Sequence, residues 1–523
     1  MVPAIPILTS TDAAAWDQRA EREGTALETL MECAGRGSAA VLLDRYGHAA
    51  RRGVLVAAGP GHNGGDGWVL ARALHALGLP VWVTSGGESA PLTRKVAARA
   101  RAAGVREVPP DGPWPQAGLV VDALLGTGAT GAPKGAVAAL LERLHDLPLP
   151  ILAIDGPTGL DLGTGLMHGA PRADTTVTFG GLRRGHLLAR DEVGAVVVVD
   201  IGHPHADPAW PRLVTDDHAA GWLVPFRARA HKGDRGRVVV VGGAPGMSGA
   251  LRLACRAAFG AGAGLVFAVA PEESTALIAA AEPDVQVRPW AAGAPDAALV
   301  QAITAADAIV VGPGLGRAAE TREALQALLA SASPSAALVL DADALTLFAG
   351  DVAGLRTLIG GRPAVLTPHL GEFRSLFPAH AAVAEHDPWA AAQGAAREVG
   401  AVVLLKGVPS VIATPEGEAP WTIAAGNPGL ATGGSGDLLA GFIGSFLAAG
   451  GGECPPPAAA ALGAQVLGRA ADLAARRSSA RTLRPMDLLA ALPDLWRAWE
   501  LRAGARPSPR APVLLELERP RGV

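Results

Sequence analysis

Thirteen short runs of β-branched and apolar residues, each followed by a turn and an Ala- and Leu-rich stretch, constrain this chain's fold most. In the first part they are Val54–Ala57, Pro80–Thr84, Leu119–Val121, Ile151–Ile154, Thr175–Phe179 and Val196–Val199. In the second they are Arg237–Val241, Leu265–Val269, Ala308–Val311, Leu338–Leu340, Ala364–Thr367, Val402–Leu405 and Ser410–Thr414. The runs are almost continuously apolar rather than alternating, the pattern of strands covered on both faces. Spaced by helix-length stretches, they predict right-handed βαβ units and open parallel sheets. The 523 residues exceed one ordinary core, and the rhythm breaks between Gly202-His203-Pro204-His205 and His231-Lys232-Gly233, around Pro208, Pro211 and Pro225. Two unequal α/β domains are expected, residues 1–210 and 211–505. A Pro/Arg-rich tail over 506–523 is expected to be loosely ordered.

Composition excludes several roles. The net charge of −4 leaves no basic excess for a nucleic acid backbone or an anionic membrane, so any anion must be held by local loops. Three dispersed cysteines, Cys33, Cys255 and Cys454, argue against a disulfide framework or a thiolate metal site and fit a reducing compartment. No signal peptide is expected from the opening residues, and no apolar run reaches membrane-spanning length. The expected setting is cytoplasmic.

Gly59-Pro60-Gly61-His62-Asn63-Gly64-Gly65-Asp66-Gly67 follows the Val54–Ala57 run and precedes a helix expected over Trp68–Leu77. Five glycines in nine residues permit close backbone approach to a ligand, and a strand–loop–helix turn aims N–H groups at an anion. Two further strand ends carry an aspartate and then a Gly/Thr loop: Asp122-Ala123-Leu124-Leu125-Gly126-Thr127-Gly128 and Asp155-Gly156-Pro157-Thr158-Gly159. Singly, Asp122 or Asp155 reads as a helix cap. Together, at the carboxyl ends of parallel strands, the three loops are expected to converge on one crevice.

This constellation resembles the NAD(P)H-hydrate epimerase family over residues 8–205, with Met31-Glu32-Cys33-Ala34-Gly35-Arg36 similar to an early helix of that family. The resemblance implies a Rossmann-like three-layer sandwich and potassium bound through Asn63, Asp122 and Thr158, as oxygen donors suit a hard cation. It also implies that the hydrated dinucleotide lies against the backbone of His62, Asn63, Gly64, Gly65 and Asp66 and of Gly126, Thr127, Gly128, Ala129, Thr130, Gly131 and Ala132. Asp155 would contact the nicotinamide-hydrate ring and do acid/base work. His62 and Cys33 depart from the family pattern. So does Phe179-Gly180-Gly181-Leu182-Arg183-Arg184-Gly185, where the family usually has a Pro-Lys pair; an arginine does not readily give up its proton.

The second candidate site is Gly426-Asn427-Pro428-Gly429-Leu430-Ala431-Thr432-Gly433-Gly434-Ser435-Gly436-Asp437. A glycine loop running into a helix expected from Leu438 onward makes an anion hole, and Asp437 at its mouth is placed to take a proton from an attacking hydroxyl. The segment resembles the signature of ribokinase-like kinases. With His231-Lys232-Gly233-Asp234, Val241–Ala250, Gly312–Gly316, Leu340–Leu345, Thr367–Phe373 and Leu405-Lys406-Gly407, the order matches the ADP-dependent NAD(P)H-hydrate dehydratases over residues 213–495. That resemblance implies a ribokinase-like α/β sandwich. Ala250, Gly314, His369 and Asp437 would contact the hydrated nucleotide, and Lys406, Gly407, Val408, Pro409, Ser410 and Gly436 would bind ADP, with Mg²⁺. By themselves His369 reads as a turn cap and Lys406 as a surface lysine.

The implied function is repair of hydrated NADH and NADPH (NADHX and NADPHX): epimerisation of the R and S hydrates, and ADP-dependent dehydration of the S hydrate with release of AMP and phosphate. A homo-oligomer is also implied, with no nucleic acid or membrane partner. The alternative reading is a ribokinase-like vitamin or sugar kinase with a non-catalytic nucleotide-binding N-terminal domain.

Overall fold

The computed structural model describes residues 5–169, 171–290, 295–503 and 512–520. They form two compact units, one from the described residues up to Arg212 together with 512–520, the other from Leu213 to 503.

In the first unit the β-branched runs pair as parallel strands. In spatial order they are Ala195–Val199, Thr175–Phe179, Ile151–Ile154, Leu119–Ala123, Val54–Ala58, Val81–Ser85 and the short Arg106–Glu107. Side chains alternate across the sheet. Val54, Val56, Val121, Leu152 and Val177 face helices Leu27–Ala50, His62–Ala76 and Pro91–Ala102, while Ala57, Val120 and Ile151 face Gly135–His145. Helices on both faces make this a three-layer α/β unit.

One expectation is corrected at its edge. Within the 506–523 tail, Val513–Leu517 form a strand antiparallel to Ala195–Val199. The Val-Leu-Leu-Glu-Leu run is itself strand-forming, and it closes an edge that would otherwise expose a row of unpaired backbone groups. Arg190 ties the addition down by donating to the Leu517 and Glu518 carbonyls. Residues 506–511 and 521–523 lie outside the described ones.

In the second unit the parallel order is Gln286–Pro289, Leu265–Ala270, Arg237–Val241, Ala308–Val311, Ala337–Leu340, Ala364–Leu366, Val402–Leu405. Ser410–Ala413 and Trp421–Ile423 follow antiparallel. Val238, Val240, Val310 and Val339 pack on helices Ser248–Gly260, Ser435–Ala448 and Pro456–Arg477. Val239, Val241, Ile309 and Leu338, on the opposite face, are equally buried. Gly441 sets the spacing of the first two helices, since a Cβ there would lie 2.2 Å from the Ala254 carbonyl oxygen. Among the described residues no helix is long and apolar enough to cross a membrane.

Deleting residues 512–523 uncovers the Ala195–Val199 edge and removes the burial of Leu517. Thermal unfolding should show the transition of the first unit lowered by about 3 kcal/mol, the scale of one or two buried aliphatic side chains with their strand pairing. An unshifted transition refutes the bracing role.

Candidate active sites

In the first unit, Val54–Ala58 stands where the strand order reverses, with Val81–Ser85 on one side and the later Leu119–Ala123 on the other. Ligand crevices in α/β sheets open at such a point. A Cβ at Gly59 would lie 1.7 Å from the Leu124 carbonyl oxygen, and one at Gly64 would lie 1.9 Å from that of Gly59. The helix starts earlier than expected, at His62 with Gly61 as N-cap, so Asn63, Gly64, Gly65 and Asp66 belong to its first turns. Glycine disfavours a helix by propensity. Here tertiary contact overrides that preference, because a Cβ at Gly65 would lie 2.7 Å from Met31 Sδ and one at Gly67 2.6 Å from Ala123 Cβ.

The three loops meet as expected around a cavity of about 520 Å³, lined by His62, Asn63, Asp66, Gly126–Ala129, Asp155 and Arg183, among others. That size suits a small-molecule site. Thr130, Gly131 and Ala132 continue outward and are exposed, and so is Cys33.

Asp155 is the most constrained residue of this site. Its φ of +64° is left-handed, which a residue with a Cβ adopts at a cost of about 1–2 kcal/mol. The backbone N–H donates to the Val177 carbonyl at 2.7 Å. The side chain accepts from Thr127 N–H at 2.7 Å, Thr127 Oγ1 at 2.5 Å and Thr178 Oγ1 at 3.3 Å, with the Arg183 guanidinium at 3.6 Å. Burial pushes the Asp155 carboxyl up, but Arg183 and the Thr127 bonds outweigh it and hold the group below the usual carboxylate range. Arg183 is itself buried, donating to Thr127 Oγ1 at 2.9 Å and the Gly181 carbonyl at 3.1 Å. His186 completes the brace. Arg183 N–H donates to its Nδ1 at 3.0 Å, so Nε2 carries the proton and donates to the Asp155 carbonyl at 2.7 Å. Burial lowers the His186 pKa to about 4, keeping the ring neutral. Sequence reasoning singled out Arg183 as a departure without seeing this bracing, and for His186 it held no signal.

Asp122 and Thr158 form a buried pair beneath the cavity. Thr158 N–H and Oγ1 donate to the Asp122 carboxylate, each at 2.7 Å, and Leu124 N–H adds a third bond at 3.1 Å. Burial nevertheless raises the Asp122 pKa. Asn63 has both side-chain atoms, Oδ1 and Nδ2, buried without a hydrogen-bond partner. A Cβ at Gly126 would lie 3.2 Å from Asn63 Cγ and 2.7 Å from Asp155 Oδ2, which brings all of these groups to one corner.

In the second unit the strand order reverses between Arg237–Val241 and Ala308–Val311, and the loops after these strands interlock. Gly243 N–H donates to the Pro313 carbonyl at 3.0 Å and Ala244 N–H to that of Gly314 at 2.7 Å. Gly314, at φ +61°, sits against Met247, placing it near the start of the helix that carries Ala250. The anion loop leads into a helix that begins at Ser435, three residues before the expected Leu438, with Gly434 in the left-handed conformation as N-cap. Only glycine reaches that turn cheaply. Ser435 Oγ donates to the Leu430 and Thr432 carbonyls and tightens the loop, and Gly434 packs against Leu253.

Lys406 is no surface lysine. Its Nζ lies 2.8 Å from Asp341 Oδ1 and 3.8 Å from Glu372 Oε2. Burial lowers its pKa, but Asp341, Glu372 and Asp437 outweigh that and keep it charged. A Cβ at Gly436 would lie 3.6 Å from both Asp341 Oδ2 and Lys406 Nζ, so the loop, the lysine and the aspartate converge. His369 caps helix Leu370–Leu376, its Nδ1 accepting from Gly371 and Glu372 N–H, with the ring largely exposed beside them. Backbone pairing of His369 with Lys406 joins that turn to the 406–410 loop, where Ser410 Oγ closes on the Gly407 carbonyl at 3.1 Å and Val408 is exposed. Ala342, between Asp341 and Asp343, has φ +49°. Burial first, then Asp341 and Asp343, push the Asp437 pKa up to about 7, against the opposing charge of Lys406.

Residues 27–185 match the family model described as YjeF-related protein N-terminus, and residues 238–494 match that described as NAD(P)H-hydrate dehydratase. The chain is 35% identical over 490 residues to the bifunctional NAD(P)H-hydrate repair enzyme Nnr of Escherichia coli, covering 91% of this chain and 92% of that one. Identity to the Salinibacter ruber protein of the same name is 37% over 530 residues, covering 93% and 95%. Among solved structures it is similar to the ADP/ATP-dependent NAD(P)H-hydrate dehydratase of Bacillus subtilis co-crystallised with ATP/Mg²⁺. There the identity is 29% and the TM-score 0.47, over 55% of this chain and 98% of that one.

Asp437 should titrate near neutrality. Asp341→Asn removes a like charge and should lower the midpoint, whereas Lys406→Met removes the opposing cation and should raise it. Carboxyl-labelled aspartate NMR across neutral pH checks both signs. A wild-type midpoint in the ordinary carboxylate range refutes the arrangement.

Proposed function

Because the chain belongs to the family of bifunctional NAD(P)H-hydrate repair enzymes, we propose that its two strand-edge sites divide the repair, the first epimerising the hydrate and the second dehydrating it. The protein is an NAD(P)H-hydrate epimerase and dehydratase in one chain. The observation that carries the assignment of the second site is Asp437 at the mouth of a glycine anion loop, held near neutral pKa beside a charged lysine.

The substrate carries a hydroxyl on its reduced nicotinamide ring, and hydroxide leaves poorly. Asp437 takes the hydroxyl proton as the oxygen attacks the terminal phosphorus of ADP. The new O–P bond forms while the bond to the bridging oxygen breaks, releasing AMP. A base held near neutrality has the right proton affinity for this step. The loop N–H groups and Lys406 neutralise the charge spread over the transferring phosphoryl oxygens, which is most of what such a transfer requires. The phosphate ester then departs, pushed by the ring nitrogen's lone pair, and loss of a proton from the adjacent carbon restores the dihydronicotinamide. Ala250, Gly314 and His369 border the nucleotide hydrate in this reading, and Lys406–Ser410 with Gly436 border ADP.

Magnesium is held largely by phosphate and water with one or two carboxylates. Asp341, beside Lys406 and the glycine loop, offers such a carboxylate. The ion would supply further charge neutralisation. In the first unit the unpartnered, buried Asn63 Oδ1, with Asp122 and Thr158, fits potassium, an oxygen-seeking cation that would compensate the buried carboxylate. Asp155 then faces the ring as the acid/base residue of epimerisation. The dehydratase takes the S hydrate and the epimerase supplies it from the R form. A cytoplasmic setting, supported by three free cysteines, and a homo-oligomer, supported by the family resemblance, belong to the same reading.

Incubation of NADH hydrate with ADP and Mg²⁺ should restore reduced-nicotinamide absorbance. Asp437→Ala should cut that rate about 10³-fold or more while R/S interconversion continues, and Asp155→Asn should do the reverse. A stable phosphorylated product with no return of absorbance would favour the kinase alternative and refute the dehydratase assignment.

A further inference from the structure

The cavity of the first unit is lined by three carboxylates, Asp17, Asp66 and Asp155, and the last two have opposite surroundings. Asp155 is saturated, with two threonine hydroxyls, one backbone N–H and a guanidinium on it. Asp66, in the early turns of helix His62–Ala76, lines the same cavity and has no hydrogen-bond donor or cation on its carboxyl among the described residues. Asp66 belongs to the segment after strand Val54–Ala58, and Asp155 ends strand Ile151–Ile154, with Leu119–Ala123 between them in the sheet. Their parent strands lie two spacings apart, about 10 Å, and both side chains line the one cavity. The two groups still sense one another. Burial first, then the charges of Asp155 and Asp17, push the Asp66 carboxyl well above the ordinary range. The other titratable groups lining the cavity are Asp17, Arg183, His62 and His203, with His203 Nε2 paired to Asp17 Oδ1 at 2.8 Å.

Inversion at the hydroxyl-bearing carbon requires oxygen to leave one face of the ring and return to the other. We propose that Asp66 is the general acid of the epimerase, protonating the departing hydroxyl on one face while Asp155 takes a proton from water adding to the opposite face. This rests on the reading of the first unit as the epimerase. In the first half the C–O bond breaks, the Asp66 proton leaves with the oxygen as water, and the ring-nitrogen lone pair forms a C=N bond. In the second half water attacks that carbon from the other side, its proton passes to Asp155, and the electron pair returns to nitrogen. The net result is one proton moved from Asp66 to Asp155, and the reverse turnover or exchange with solvent resets it. Two carboxyl groups whose surroundings drive their proton affinities apart are an acid and a base. Unlike carbon deprotonation, this route exchanges the hydroxyl oxygen with solvent once per inversion.

The test follows R-to-S conversion of NADH hydrate by the full-length protein in ¹⁸O-water without ADP. Wild type should take up one solvent oxygen per inversion and slow at alkaline pH. Asp66→Asn keeps the size and shape of the side chain, so it should fold normally, yet it should lose inversion and isotope uptake together by about 100-fold or more. Asp66→Glu should restore part of the rate and move the alkaline limb. Inversion without isotope uptake, or an Asp66→Asn rate within a few-fold of wild type while Asp155→Asn is inactive, overturns the role of Asp66 and leaves the epimerase assignment standing. If both variants stay active, the assignment of this site itself fails. Should Asp66→Asn fail to melt cooperatively, Asp66→Glu decides: a displaced limb supports the role and an unmoved one overturns it.

Discussion

A parallel strand must be re-entered from the same end, so every helical crossover delivers its preceding loop to one edge of the sheet. Both units are built on that restriction. The aspartates at 122 and 155 and the glycine segment at 59–67 are far apart in sequence, yet strand pairing of 54–58, 119–123 and 151–154 leaves them little choice but to meet. Where the strand order reverses in the first unit, the loops part and leave a crevice floored by glycines that a Cβ would close, whereas in the second unit the loops at that point are tied together through Gly243 and Ala244. The chemistry depends on backbone approaching backbone before any side chain acts.

Strain marks the same places. Among the described residues the non-glycine positions with positive φ are Asp155 and Ala342, one at each candidate site, each just past the end of a strand. Such conformations persist only where the surroundings over-determine them. At Asp155 the determinants are visible: Val177 receives its N–H, His186 donates to its carbonyl, and Thr127 and Arg183 hold its carboxylate. At Ala342 the strained link turns the chain so that Asp341 faces Lys406 while Asp343 pairs with Arg317 at 2.6 Å.

How much of this was legible in the sequence depends on the range of the interaction. The strand runs read true because a two-sided covered strand has to be apolar throughout, and the glycine loops read true because nothing else permits such close approach. Helix starts at His62 and Ser435 were misplaced, since glycine's poor propensity is a local signal that tertiary packing overrode. Val513–Leu517 was hidden by the proline and arginine around it, although the five residues themselves spell a strand. Partners were the least legible. Lys406 and Asp341 are 65 residues apart, and no spacing rule joins them. Arg183 was visible only as a departure, because its worth lies in the fold-dependent position of Thr127 and Asp155.

Arginine at that position also changes what the brace can do. A lysine there can shed its proton when buried, and then serve as a base or stop neutralising its partner. A guanidinium does neither. Beside the neutral His186, the Arg183 guanidinium holds Asp155 below the usual carboxylate range, while burial pushes Asp66 above it. The second site solves the complementary problem with the opposite balance. Lys406 is spent largely on Asp341 and only partly offsets the crowding of Asp437, which therefore sits where it can both take and return a proton. One chain thus holds two candidate-site aspartates with opposed proton affinities, and the difference is set by whether the nearest cation faces the carboxylate or is already committed to a neighbour.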